Sequence, residues 1–447
     1  MNFKGVKKIL VIKLRHIGDV LLTLPVFRAL RENFPQAHIT AIVNSGTEEV
    51  LTGNPLINEV IAFDRTIKKI NPVQKYLKEL YFLRRIRGKN FDMTVDLTSG
   101  DRAAIISFAS GAKYRLASDT GKDGFPGKRY LYTHLAKNDS SQHMVLQNLD
   151  VVRQFGISTD NLNVDIFIPK DARTFVKNVF ASWDSPDSEP APSITGASPV
   201  NPGQSLQEGQ RESIIIHVHP TSRWLFKCWK DEYMADVISW LLNMGIKVIV
   251  TSSPDKREIE KTKKILSLVS KLHASWDSPD SEPAPSITGA SPVPHSGGFA
   301  EEKNPGQSLS SGSHLIDLCG KTTIKQLAAI SEASELFLGV DSAPMHIAAA
   351  VGTPVIALFG PSGAFHWGPW ANNYREQGAE SRGQETPYTE RNGIQTFGIH
   401  TVIQKNLECI PCGEDGCDGS KISRCLEDIT PDDIKNILTK KLRELQR

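Results

Sequence analysis

Gly18 and Asp19 stand where an apolar stretch gives way to helical spacing, in the run Lys13-Leu14-Arg15-His16-Ile17-Gly18-Asp19-Val20. A glycine there lets the backbone turn tightly, and the carboxylate after it could take the proton from an attacking hydroxyl. Asp19 equally suits the N-cap of the helix that follows, and spacing alone favours that structural role. A second junction, Gly339-Val340-Asp341-Ser342-Ala343-Pro344-Met345-His346, leads into an alanine-rich run and then Gly352-Thr353-Pro354. Asp341 and Ser342 are good caps, Pro344 is tolerated in a first helical turn, and Ala343 is small enough for a ligand to come close. Free N–H groups and the helix dipole make such an N-terminus an anion site, and a diphosphate fits it. His346, one turn in, either faces the same phosphates or is a core histidine.

Three further groups could carry chemistry. His217-Val218-His219-Pro220-Thr221-Ser222-Arg223, continuing to Lys227 and Trp229, offers hydroxyls with Arg and Lys for the other side of a diphosphate; the alternative is a solvated turn. Glu258, just beyond a strand, is placed to hold ribose hydroxyls or simply to open a surface helix. Cys409, Cys412, Cys417 and Cys425 have the spacing of a zinc or iron–sulfur ligand set, with glycines for tight turns, or are four reduced thiols. Cys228 and Cys319 read as ordinary buried thiols. Arg84, Arg85, Arg87 and Lys89 form a basic helix end, either a solvated face or an attraction for an anionic, membrane-embedded acceptor.

The elements that must position these residues alternate. Strands are expected at Ile9–Leu14, Ile39–Val43, Val60–Phe63 and Met93–Leu97, with helices over Val20–Asn33, Pro72–Arg87, Arg102–Ser110 and His143–Phe155. The grammar repeats, with strands at Ser213–Val218, Lys247–Thr251, Leu315–Leu318, Leu336–Val340 and Val355–Phe359 and helices at Asp231–Asn243, Arg257–Leu272, Ile324–Ile330 and Ala343–Ala350. Such βαβ alternation implies an α/β fold of two doubly wound, Rossmann-like domains facing a cleft, with ligands at the carboxyl ends of strands. The expected organisation is a first domain at 1–180, an insertion at 181–212 and a second domain at 213–430. That second domain carries another insertion at 274–312 and the cysteine loop at 409–425, and a helix at 431–447 ends the chain.

The two insertions are copies. Residues 181–200 and 274–293 share the sequence ASWDSPDSEPAPSITGASPV, and NPGQSL follows at 201–206 and 304–309. Their composition cannot form a core, so they read as disordered loop insertions rather than solenoid repeats. Lys+Arg of 52 against Asp+Glu of 50 excludes the basic excess of a dedicated nucleic-acid binder. Lys13 and Arg15 end the first apolar run too early for a signal-peptide core, and no stretch approaches a transmembrane helix, so a soluble, cytoplasmic protein able to touch a membrane surface is expected.

Taken together, KLRHIGDVLLTLPVFRAL at 13–30, HPTSRWLFKCW at 219–229 and FLGVDSAPMHIAAAVGTPVIALFGPS at 337–362 resemble glycosyltransferase family 9, the ADP-heptose:lipopolysaccharide heptosyltransferases. The cysteine tail at 409–426 looks like the heptosyltransferase III branch, and residues 376–398 look like a further insertion. The resemblance implies a GT-B fold, with the acceptor on the first domain and the ADP-heptose donor on the second. It also implies inverting transfer to an inner-core heptose of lipopolysaccharide at the inner membrane surface, with neither cofactor nor divalent metal. It raises Asp19 from helix cap to general base. Asp341, Ser342, Ala343 and His346 then surround the donor diphosphate, Thr221, Ser222 and Lys227 grip diphosphate and sugar, Glu258 holds the ribose, and Thr322 lies at the adenine. Ser-Ala replaces the frequent Thr-Gly pair at 342–343, and the Arg223-to-Lys227 spacing is longer than in heptosyltransferase I. Two rival readings are a sugar-nucleotide epimerase of the same shape and an inactive nucleotide-sugar binder.

Overall fold

The computed structural model describes residues 3–64, 71–121, 123–181, 183, 214–276, 314–372 and 388–445. Nearly all of the two expected insertions, and residues 376–387, fall outside them.

Six strands form the first sheet: β1 (Lys8–Lys13), β2 (His38–Asn44), β3 (Glu59–Phe63), β4 (Met93–Asp96), β5 (Tyr114–Asp119) and β6 (His134–Lys137). All pair in parallel, in the order β3-β2-β1-β4-β5-β6. The helices of this half are α1 (Ile17–Leu21), α2 (Leu24–Asn33), α3 (Pro72–Gly88), α4 (Asp101–Ala109), α5 (Met144–Arg153) and α6 (Lys170–Ala181). After its first residue β1 is buried throughout, which is why it reads as a continuous apolar run.

The second sheet has β7 (Ile215–His219), β8 (Lys247–Val250), β9 (Leu315–Asp317), β10 (Leu336–Val340), β11 (Val355–Leu358), β12 (Gln395–Phe397) and β13 (His400–Ile403). Its order, β12-β13-β11-β10-β7-β8-β9, repeats the winding of the first, with β12 added antiparallel at one edge. The accompanying helices are α7 (Asp231–Asn243), α8 (Lys256–Trp276), α9 (Ile324–Glu332), α10 (Ala343–Ala350), α11 (Ala364–Trp367), α12 (Arg424–Glu427) and α13 (Pro431–Leu445). In each half the winding reverses beside the first strand, so the carboxyl ends of β1 with β4 and of β7 with β10 define the switch points where ligands bind.

Val20–Asn33 is not a single helix but α1 and α2, separated at Leu22 and Thr23. Pro25 near the start of α2 has no N–H, and its ring would meet the carbonyl of Leu21 were the helix continuous. The Thr23 hydroxyl donates to the Val20 carbonyl at 2.6 Å and closes the first turn. Strands β5 and β6, helix α6 and the β12–β13 hairpin were not anticipated.

The halves are packed together. One apolar cluster includes Val20, Leu21 and Leu24 of the first half with Leu327, Ala328, Ile347 and Trp370 of the second. Helix α6 lies against α9, where Arg173 makes two bonds of 2.8 Å to the Glu332 carboxylate. The Trp370 indole donates to the Leu162 carbonyl at 2.9 Å, and the Glu49 carboxylate accepts from the Ile324 and Lys325 N–H groups at the start of α9. No helix among the described residues is long and apolar enough to cross a membrane.

Candidate functional site

A cavity of about 680 Å³ lies between the halves, at the two switch points. Asp19, Thr221, Ser222, Lys227, Glu258, Thr322, Asp341, Ser342, Ala343 and His346 all line it, although they are spread over more than three hundred positions of sequence. The reason is topological: each follows a parallel strand or opens the helix after one, and the winding brings those ends to one edge.

On the first side, β1 ends at Lys13 and α1 begins at Ile17. Asp19 is not the N-cap. His16 holds that position, and Asp19, two residues further into the helix than Ile17, accepts from the His16 N–H at 3.3 Å in a capping box. The carboxylate is half-buried and keeps a face toward the cleft. Beneath it Lys13 is buried and donates to the Leu97 carbonyl and the Asn148 amide oxygen, both at 2.9 Å. Burial holds the Lys13 ammonium down to about 8, partly opposed by the charge of Asp19.

On the second side, α10 opens at Ser342, whose backbone is extended and whose side chain makes no capping bond. Ser342 therefore occupies the cap position without capping. Its Oγ is buried and has no hydrogen-bond partner, and neither has Nδ1 of His346. His346 is 5% exposed, and burial pushes it down to about 4 against the pull of the Asp341 and Asp19 carboxylates, so it is neutral at physiological pH. Its ring lies on Gly18, where an added Cβ would stand 2.8 Å from Cδ2. His346 is thus both a cavity-lining group and the contact that sets the separation of α1 and α10.

The Lys227 ammonium meets the Asp341 carboxylate at 2.6 Å, with Asp341 8% and Lys227 21% exposed. The pair holds the lysine over the start of α10. Glu258 is buried and accepts from the Thr221 hydroxyl at 2.8 Å and the Ser253 hydroxyl at 2.5 Å, so this carboxylate fixes both loops at the ends of β7 and β8. His217 and His219 are buried beside Thr251 at 2.7 and 2.8 Å, and burial keeps both imidazoles neutral. They belong to the strand's core rather than to the cavity floor, except that His219 also reaches the lining.

The cavity includes residues that sequence reasoning did not single out: Ser45 and Thr47 beyond β2, Ser252 and Ser253 beyond β8, and Trp367 of α11. The strand-end rule could have found the first four; nothing local marks Trp367. A second cavity of about 510 Å³ opens on the first half alone, walled by Phe63, Phe82, Leu83 and Ile106, with Arg15 and the Glu79–Arg102 ion pair.

The cysteine loop is separate. Cys409, Cys412 and Cys417 are exposed, Cys425 is buried, and all are free thiols. Among the described residues no group of three or more His, Cys, Asp or Glu side chains is placed to hold a metal ion, while burial and the neighbouring Cys417, Cys412 and Cys409 raise the Cys425 thiol to about 12. Cys228 and Cys319 are only partly buried, and desolvation raises both thiols.

Two Rossmann-like halves, each presenting its switch point to a shared cleft, define a GT-B glycosyltransferase architecture. Residues 80–274 and 296–393 match the family model described as "Glycosyltransferase family 9 (heptosyltransferase)", and the chain belongs to that family. A lipopolysaccharide heptosyltransferase 3 from Escherichia coli is 28% identical over 360 residues, covering 80% of this chain and 85% of that protein. Among solved structures, E. coli ADP-heptose lps heptosyltransferase II superposes with a TM-score of 0.64 at 18% identity, covering 98% of this chain and 100% of that one. The E. coli heptosyltransferase WaaC with ADP gives 0.60 at 16%, covering 97% and 99%. The fold is therefore shared with these heptosyltransferases.

Proposed function

We propose that this enzyme transfers L-glycero-D-manno-heptose from ADP-heptose to an inner-core heptose of lipopolysaccharide, with inversion at the anomeric carbon. The observation that carries the reading is the convergence on one cleft of the Asp19 carboxylate from the first half with Lys227, Glu258 and the start of α10 from the second. A lysine and a helix N-terminus suit an anionic diphosphate and a carboxylate suits sugar hydroxyls, so a nucleotide sugar fits the second wall while Asp19 faces it from the first. Heptosyltransferases among the relatives, and an ADP complex among structures of the same fold, favour an ADP-linked heptose as that ligand.

The chemistry follows from the arrangement. The acceptor hydroxyl attacks the anomeric carbon from the face opposite ADP, and the bond from that carbon to the diphosphate oxygen breaks. Asp19 takes the hydroxyl proton as the new bond forms. Negative charge develops on the departing ADP oxygen, and the N–H groups at the start of α10 together with Lys227 stabilise it. Glu258, held by Thr221 and Ser253, has carboxylate lone pairs remaining for ribose hydroxyls, and Thr322 borders the adenine. The contact of His346 with Gly18 sets the distance between base and leaving group.

Calorimetric titration with ADP, UDP, GDP and CDP tests the donor assignment. ADP should bind selectively, and Ser342→Ala and His346→Ala should each weaken it about ten-fold, the loss of one charge-assisted contact. Equal binding of all four nucleotides would return the protein to an unspecified member of its family.

A further inference from the structure

Helix α3 carries an apolar face that no described part of the chain covers. Val73, Tyr76, Leu77 and Tyr81 share one side of it and are each more than half exposed. The opposite side turns inward, where Ile86 is buried and Phe82 and Leu83 wall the 510 Å³ cavity. Helix α4, packed beside it, repeats the pattern: Ile106 is buried, whereas Ile105 and Phe108 are exposed. The turn Lys128–Leu131 packs on α4 and adds Tyr130, 81% exposed. Of the fifteen exposed large hydrophobic residues described, eight lie on these segments and the nearby Phe125, so the apolar exposure is a patch and not a scatter.

The charge along α3 is mainly basic, whereas Asp101 and Asp123 stand beside Phe125 at the far end of the patch. Helix α3 carries Lys75, Lys78, Arg84, Arg85 and Arg87 against a single carboxylate, Glu79, and Arg102 of α4 already engages that carboxylate at 2.8 Å. Arg84 and Arg85 have no carboxylate partner among the described residues. An apolar stripe rich in tyrosine and flanked by basic residues is the composition of a helix that lies in the headgroup region of an anionic bilayer. The same two helices wall the cavity on the acceptor side, so a bilayer against their outer faces puts a lipid-anchored sugar at its mouth.

We infer that the outer faces of α3 and α4, with the 125–130 segment, dock this enzyme on an anionic lipid surface. The inference rests on the reading of the acceptor as lipid-linked. It is tested by co-sedimentation of the full chain with vesicles of phosphatidylglycerol and phosphatidylethanolamine, and with vesicles of phosphatidylcholine alone. The protein should sediment with the anionic vesicles only. Tyr76→Ser/Leu77→Ser/Tyr81→Ser, all at exposed positions, should lower binding by about ten-fold or more, and Arg84→Glu/Arg85→Glu should abolish the preference for anionic lipid. Wild-type protein that stays in the supernatant, or a triple-serine variant that sediments like wild type, overturns the inference. So does concentration-dependent self-association in the ultracentrifuge that the triple variant loses, because a second copy then covers the face. Heptose transfer to a deacylated, soluble acceptor separates the two readings: the triple variant should match wild type there, whereas absent transfer by both, with vesicle binding intact, defeats the heptosyl-transfer reading and leaves the docking face standing.

Discussion

Replacing Gly18 with alanine should slow transfer while leaving the fold intact, and should do so only when His346 is present. Gly18 lies within α1 at an ordinary helical backbone conformation, so alanine introduces no backbone strain there. Helix propensity by itself favours the change by about 1 kcal/mol. The new Cβ, however, would stand 2.8 Å from His346 Cδ2, where ordinary contact begins at 3.4 Å. Either the ring or the whole of α10 must give by about half an ångström, and the ring is enclosed. Since a misplacement of about 1 Å can cost about a hundred-fold in rate, half of that corresponds to roughly ten-fold in kcat. Steady-state transfer by wild type, Gly18→Ala, His346→Ala and the double variant forms a cycle. The alanine should cost about ten-fold beside histidine and less than about two-fold without it, and the melting temperature of Gly18→Ala should stay close to wild type. An equal cost in both backgrounds would refute the steric argument, as would full activity of the single variant.

Three other outcomes follow. Asp19→Asn keeps the shape of the site but not the base, so kcat should fall by about 10²- to 10⁴-fold while calorimetric ADP affinity changes less than about three-fold. Lys227→Met removes the partner of a carboxylate only 8% exposed, so it should lower stability as well as ADP affinity, and adding Asp341→Asn should restore thermal stability without restoring kcat. Acid should destabilise the protein earlier than carboxylate titration alone would. His143 and His219 are held down to about 3 and His346 and His400 to about 4 by burial, below their ordinary 6.5. The unfolded chain therefore takes up more protons as pH falls from 6.5 toward 4, and stability is lost across that window. Thermal melts at stepped pH should show the decline, and a melting temperature flat from pH 7 to pH 4.5 would contradict it.

Much of the site was legible because its chemistry sits at strand ends. Gly18-Asp19 after ILVIKL, and Asp341-Ser342 after LFLGV, are marked by buried strands that read as unbroken apolar runs. The short strands of lower apolar content were not legible. β5, YRLASD, and β6, HLAK, carry polar residues at half-exposed positions near a sheet edge, where neither alternation nor a long apolar run marks them. Pro25 did announce a break in the first helix, but the apolar spacing on either side of it concealed the break. Contacts between the halves were beyond sequence reasoning altogether. Glu49 at the start of α9, Trp370 on Leu162, and His346 on Gly18 join residues separated by more than two hundred positions, and no local pattern encodes them. The dual position of His346, lining the cleft and spacing the halves, is a consequence of that packing. The cysteine spacing brings Cys409, Cys412 and Cys417 close enough to Cys425 for their charges to act on it, with three of the four thiols exposed.

Heptose transfer is read most directly by mass spectrometry of a reaction containing ADP-heptose and a deacylated inner-core acceptor, run with wild type and with Asp19→Asn. Wild type should add one heptose to the acceptor and release one ADP for each, and Asp19→Asn should bind ADP but yield no product above background. Transfer that survives the loss of Asp19, or no transfer of heptose by the wild-type enzyme, would contradict heptose transfer with Asp19 as the base.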